Sequence, residues 1–175
     1  KLHVLPSGPL QTIGYLLTSS EHREAVLIDA PEGILHKVEP ILAAEKCRLS
    51  ELWITHGHWD HTQHAALVAR TTGAKIRAHL DDQRMIETPE IMRRYLGDDI
   101  QLEPAHVDAW VQHGERFQML GFDVEVRHVP GHCPGSVLYY FPQAQAAFVG
   151  DVLFNHSVGR TDLPGGKFEV LENSI

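Results

Sequence analysis

The segment Thr55-His56-Gly57-His58-Trp59-Asp60-His61 puts four metal-ligating side chains within six residues. Imidazole and carboxylate together suit zinc, iron, manganese and related ions. In a loop that follows a strand, residues two apart can both turn toward one ion, which makes His56 and His58 candidates for one metal. Asp60 and His61 are then candidates for a second metal on the other side of the same pocket. The bland alternative is a solvated His-rich turn, and two further segments weigh against it. Pro130-Gly131-His132-Cys133-Pro134-Gly135-Ser136 sets His132 at a strand end among small residues. Phe148-Val149-Gly150-Asp151 runs an apolar strand into a carboxylate at its C-terminal end. The candidate metal set is His56, His58, Asp60, His61, His132 and Asp151.

The elements that must position these residues follow from periodicity. Gln11–Thr18 and the near-continuous apolar run Glu24–Asp29 read as strands, the latter buried on both faces. Ile34–Lys46 has helical spacing. Glu51–Thr55 is a short strand feeding the His loop, His61–Arg70 a helix, and Ala74–Ala78 another strand. Asp81–Tyr95 reads as a polar helix broken at Pro89, and Asp98–Pro104 as a connector. Strands return at Ala109–Val111, Glu115–Leu120, Phe122–His128, Val137–Phe141 and Ala146–Val149, with turns at Gly121 and at Pro142–Gln145. There is no low-complexity linker and no internal repeat.

Composition narrows the partners. A chain of 175 residues suits one domain with a real core. The net charge of −8 disfavours nucleic acid, which needs clustered Lys and Arg; Arg93-Arg94 is the one basic pair. No segment approaches the ~20 apolar residues that span a bilayer, and a small-molecule substrate is the partner expected. Two cysteines, Cys47 and Cys133, make no disulfide framework and fit a reducing cytoplasm. Of 13 histidines, those outside the motif are read as mostly solvated. His64 is assigned a supporting or surface role, and His156 is singled out for its nearness to Asp151. Cys133 reads as a small buried residue, Trp59 as a packing residue, and Arg160 with Asp162 as structural polar contacts beneath the site. Asp29 is open between a turn cap and a residue supporting the ligands.

Together, HxHxDH, the later His132 and Asp151 resemble the metallo-β-lactamase superfamily over nearly the whole chain. The resemblance implies an α/β fold, a four-layer αββα sandwich, with residues 1–175 as a single domain. It also implies two divalent metal ions, zinc first, with iron or manganese as alternatives. The segments GHCPGS at 131–136 and GRTDLPGG at 159–166 are similar to those of short bacterial glyoxalase II-like proteins, with Cys133 where a threonine is usual. That implies a hydroxyacylglutathione hydrolase-like enzyme, in which a metal-activated hydroxide attacks a thioester such as S-acyl glutathione. Asp60 would serve both as ligand and as catalytic proton acceptor. GRTD is shared with mononuclear iron persulfide dioxygenases, which remain an alternative, and other hydrolytic chemistries are hosted by the same fold.

The sequence departs from the family in one respect. The family carries one more His ligand after a further strand, and His156, the sole histidine beyond Asp151, comes too early for it. The chain is therefore expected to lack the fold's C-terminal strand and helix, and its second metal site to be the weaker one. A metal-binding fragment with little turnover is the third reading.

Overall fold

The apolar run around Val26 dictates layering. Ala25 and Leu27 enter one core while Val26 and Ile28 enter another. A strand buried on both faces needs a layer on each side. The computed structural model of the chain describes residues 1–97 and 100–175. Asp98 and Asp99, the start of the expected connector, lie outside the described residues.

The first sheet comprises β1 (Leu2–Ser7), β2 (Thr12–Ser19), β3 (Glu24–Ile28), β4 (Arg48–Trp53), β5 (Lys75–His79) and β6 (Ala109–Val111), in that order across the sheet. β1 to β3 pair antiparallel, and β3 to β6 pair parallel. Parallel pairs require crossovers. α1 (Ile34–Glu45) supplies the one between β3 and β4; α2 (Trp59–Thr62) and α3 (Ala65–Thr72) supply the next. Ile34 and Val38 of α1 and Val68 of α3 pack on Leu27, Leu52 and Ile76 to form the outer core.

The second sheet is antiparallel and made of β7 (Arg116–Met119), β8 (Phe122–His128), β9 (Val137–Phe141) and β10 (Ala146–Phe148), in the order β10-β9-β8-β7. Its Val124, Val126, Val137 and Tyr139 meet Val26, Ile28 and Trp53 of the first sheet. Trp53 is fully buried, with the Phe117 ring edge-on at 5.4 Å and the Tyr139 ring at 4.9 Å. On the outer face of this sheet, Leu138 packs with Val129, Val152 and the buried Leu171 of α5 (Phe168–Ser174), which begins the fourth layer. A small hairpin, β11 (Leu153–Phe154) and β12 (Ser157–Val158), lies between Asp151 and α5. The two sheets are joined directly at one end. Val137 N–H donates to Thr55 O at 2.8 Å, and the Tyr139 hydroxyl donates to Ile54 O at 3.2 Å.

The structure bears out the αββα architecture and differs from the sequence reading in detail. The helix expected over His61–Arg70 is two helices. The chain breaks at Gln63–His64 because the backbone turns aside to bond residue 30: Ala30 N–H donates to His61 O, and His64 N–H donates to Ala30 O. The polar stretch after β5 is a 3-10 turn at Leu80–Asp82, then α4 (Gln83–Glu87), then a 3-10 segment at Pro89–Tyr95. It breaks at Pro89 as expected, because proline removes a helical donor. β1 and the β11–β12 hairpin carried no strand signal in the sequence. β1 contains Pro6, tolerable on the edge of a sheet and misleading in a pattern search.

Candidate metal centre

β4 ends at Trp53, and Ile54 and Thr55 lead into the His56–His58 turn that opens α2. His132 stands in the loop between β8 and β9, and Asp151 follows β10. The site is thus assembled from both sheets at the end where they are joined. His56, His58, His61 and His132 are all buried. The ring centroids of His56, His58 and His132 lie 4.6–4.8 Å apart.

Hydrogen bonding assigns the protons. The Asp29 carboxylate accepts from His61 Nδ1 at 2.8 Å, from the Thr55 hydroxyl at 2.8 Å and from Thr55 N–H at 2.7 Å. Thr55 has one hydroxyl proton and gives it to Asp29, so its oxygen accepts from His56 Nδ1 at 3.1 Å. His132 Nδ1 donates to the Arg160 carbonyl at 2.8 Å. A neutral imidazole has one N–H. With Nδ1 committed, Nε2 of His56 and of His132 keeps a free lone pair, which is the form that binds metal, while His61 Nε2 faces the Asp151 carboxylate.

Those nitrogens converge. His56 Nε2 and His132 Nε2 are 3.2 Å apart. Tetrahedral ligation with bonds of about 2.0–2.1 Å separates ligand atoms by roughly 3.3 Å. Ligand atoms of His56, His58 and His132 all lie within 4.8 Å of one another, as do those of His56, His61 and Asp151. His61 Nε2 is 3.2 Å from Asp151 Oδ1 and 3.5 Å from Asp60 Oδ2, and His132 Nε2 is 3.8 Å from Asp151 Oδ2. The Thr12 hydroxyl donates to that same Asp60 oxygen at 2.6 Å. His58 Nε2 is buried with no hydrogen-bond partner, a costly state for an imidazole nitrogen. The donor set, two clusters of nitrogen and carboxylate oxygen sharing His56, fits a pair of divalent ions.

Electrostatics agree with neutral rings at His56 and His58. Burial, then the neighbouring histidines, holds the His56 pKa well below its usual value. Burial, then His132 and His61, brings His58 down to about 3. His61 goes the other way. Burial alone would lower it, but Asp29, Asp151 and Asp60 together hold it well above its usual value. Asp151 is pushed up by burial and pulled further down by His61, His132 and His58, leaving it below the ordinary carboxylate range. The His61 side is therefore a cation-seeking group of carboxylates.

All six residues singled out from the sequence lie in this one pocket. Asp29 supports the ligands instead of capping a turn, from a left-handed backbone at φ 62° that aspartate tolerates better than most residues. Cys133 is buried, as expected. Arg160 and Asp162 do pair, at 2.7 Å through both guanidinium contacts, but at the exposed surface; Arg160 serves the site through its backbone carbonyl. His64 holds the α1 entrance by accepting from Gly33 N–H at 3.0 Å. His156 is exposed at the tip of the β11–β12 hairpin.

Sequence reasoning missed two groups. Asp82 is 1% exposed and touches both ligand-bearing loops. His79 and His128, read as solvated, stack at 4.0 Å with an interplanar angle of 13°, beside Asp81. Their donor atoms lie close enough for an ion, but the nitrogens are already engaged. His128 Nε2 bonds the Pro134 carbonyl at 2.7 Å, and His79 Nδ1 accepts from Asp81 N–H at 3.3 Å. This cluster acts as a tie between β5 and the His132 loop.

Comparison with known proteins places this geometry. The family model of the metallo-beta-lactamase superfamily matches residues 8–175. A hydroxyacylglutathione hydrolase, GloC of Haemophilus influenzae, is 32% identical over 177 residues, which cover 99% of this chain and 82% of that protein. The crystal structure of the B3 metallo-beta-lactamase BLEG-1 superposes with a TM-score of 0.87 at 34% identity, covering 100% of this chain and 83% of that one. The structure of TTHA1623 in a di-iron-bound form gives a TM-score of 0.84 at 31% identity, covering 98% and 83%. With the match running from the first hairpin to the last helix, through every segment that contributes to the pocket, the chain belongs to the metallo-beta-lactamase superfamily.

Proposed function

We propose that the chain is a metal-dependent hydrolase that cleaves a thioester of the S-acyl glutathione type. The observation that carries the reading is the convergence of His56, His61 and His132. Each has Nδ1 committed outward and turns Nε2 toward one cluster that also holds Asp151. His56, His58 and His132 would hold one ion and Asp60, His61 and Asp151 the second, with Asp151 near enough to serve both. Ions bound there would supply a water acidified enough to react near neutral pH and a Lewis acid for the substrate carbonyl.

The chain's own residues do the rest. Asp60, oriented by the Thr12 hydroxyl, takes the proton that the attacking water gives up. A thiolate leaves without needing a strong acid. The thioester is supported by the hydroxyacylglutathione hydrolase among the relatives and by the GHCPGS and GRTDLPGG segments.

The test is metal content together with turnover. Elemental analysis is expected to find close to two zinc-type ions per chain, and the loaded protein is expected to release free thiol from S-lactoyl glutathione. One iron per chain with oxygen uptake on a persulfide substrate would replace the hydrolase by the dioxygenase. Metal binding with no turnover on either substrate would leave a binding protein.

A further inference from the structure

Asp82 ends the 3-10 turn that follows β5. Its carboxylate reaches two loops at once. Oδ2 accepts Gly57 N–H at 2.7 Å, from the peptide between His56 and His58. Oδ1 accepts Gly135 N–H at 2.7 Å, from the loop that carries His132. The Cys133 thiol, next to His132, lies 3.2 Å from both oxygens. The two glycines permit this approach. A Cβ on Gly57 would lie 2.8 Å from Met85 Cβ and 3.0 Å from Asp82 Cβ, and one on Gly135 would lie 2.5 Å from Asp82 Cγ.

A buried carboxylate served by neutral donors is costly. What it provides is two acceptor oxygens on a rigid group, one for each loop. An amide could accept from one loop while its NH2 faced the other N–H. We infer that Asp82 is a positioning residue: it fixes the separation of the His56–His58 loop from the His132 loop, and thereby the metal affinity of the three-histidine group. The other group has anchors of its own, Asp29 on His61 and Thr12 on Asp60, although Asp29 also reaches His56 through Thr55. The inference rests on the metal-centre reading above. It goes further in assigning the two ions different anchors, so that one can be weakened without the other.

The experiment is titration of the metal-free chain with Co(II), read by its visible spectrum and by calorimetry. Asp82→Asn keeps the shape and loses one of the two acceptors. It is expected to weaken binding at the three-histidine group about 10–100-fold, the usual effect of removing a residue that orients a ligand. The His61 group is expected to keep its affinity. Gly135→Ala keeps the carboxylate, pushes the loop away from it, and is expected to cause the same selective loss, which also covers the case in which Asp82→Asn fails to fold. Cys133→Ala removes the thiol donor, leaves both backbone bonds, and is expected to bind like the wild type. Unchanged affinity in Asp82→Asn and Gly135→Ala would overturn the inference. Equal weakening of both groups alongside a lower melting point would also overturn it, in favour of a general structural role. A wild-type chain that binds no Co(II) would overturn the metal-centre reading itself, and is distinguishable because no variant is needed to see it.

Discussion

Asp29 and Thr55 decide which imidazole nitrogens face the pocket, although neither is among the candidate ligands. The carboxylate takes the His61 proton and, through Thr55, fixes that of His56. Asp29→Ala removes both constraints and leaves the Thr55 N–H buried without its acceptor. It is expected to lower metal affinity at the His61 group about 10–100-fold, measured by Co(II) titration; Asp29→Asn, which retains one oxygen, is expected to fall between. The candidate ligands themselves were legible in the sequence because four of them come in six residues. The residues that orient them were not. Asp29 carried a signal only as a carboxylate ending an apolar strand, consistent with two roles. Asp82 carried none: it is one acidic residue in a polar stretch, and nothing local reveals that Gly57 and Gly135 arrive beside it from 25 and 53 residues away.

Among the elements, boundaries came out best where turn chemistry encloses an alternating strand. β8 and β9 have the limits expected, β8 preceded by Gly121 and β9 followed by Pro142. They came out worst where tertiary hydrogen bonds override local pattern, as at the α2–α3 break, where residue 30 takes the backbone. The tie between β5 and the His132 loop has a pH signature. Burial first, then the nearby His128, lowers the His79 pKa, with Asp81 opposing. The unfolded state therefore takes up a proton before the folded state does. The stacked, neutral arrangement is favoured above the unfolded histidine pKa of about 6.5 and loses stability as the pH falls below it. His79→Gln cannot charge and is expected to flatten the pH dependence of the melting point between about pH 7 and pH 5. An unchanged slope would show that His79 contributes nothing to it.

For the whole molecule, the candidate ligands are drawn from the turn after β4, from α2, from the β8–β9 loop and from the segment after β10. Ions that bind such a set bind the folded chain and not the unfolded one, so they stabilise by mass action, by about 2.7 kcal/mol at a hundredfold excess over Kd. A chelator is expected to lower the melting point by several degrees, and zinc is expected to restore it; a chelator-independent midpoint would mean that the ions add nothing to the native state. The layered fold was legible because β3 is apolar on both faces, which demands a sheet covered on each side. The joining of the two sheets was not, since it rests on Val137 N–H meeting Thr55 O, a pairing between residues 82 apart that leaves no trace in hydrophobic pattern.

That join has a mechanical consequence. The sandwich is bound at the edge that carries the histidines. At its far edge a cavity of about 410 Å³ lies among Leu17, Phe122, Phe141 and Phe148, contributed by both sheets. A book closed at the spine can part its pages at the fore-edge without moving its stitching. Breathing of the sandwich is therefore expected to open first around Phe122 and Phe141, in faster exchange of the backbone amides there, while the spacing of the ligand nitrogens holds still.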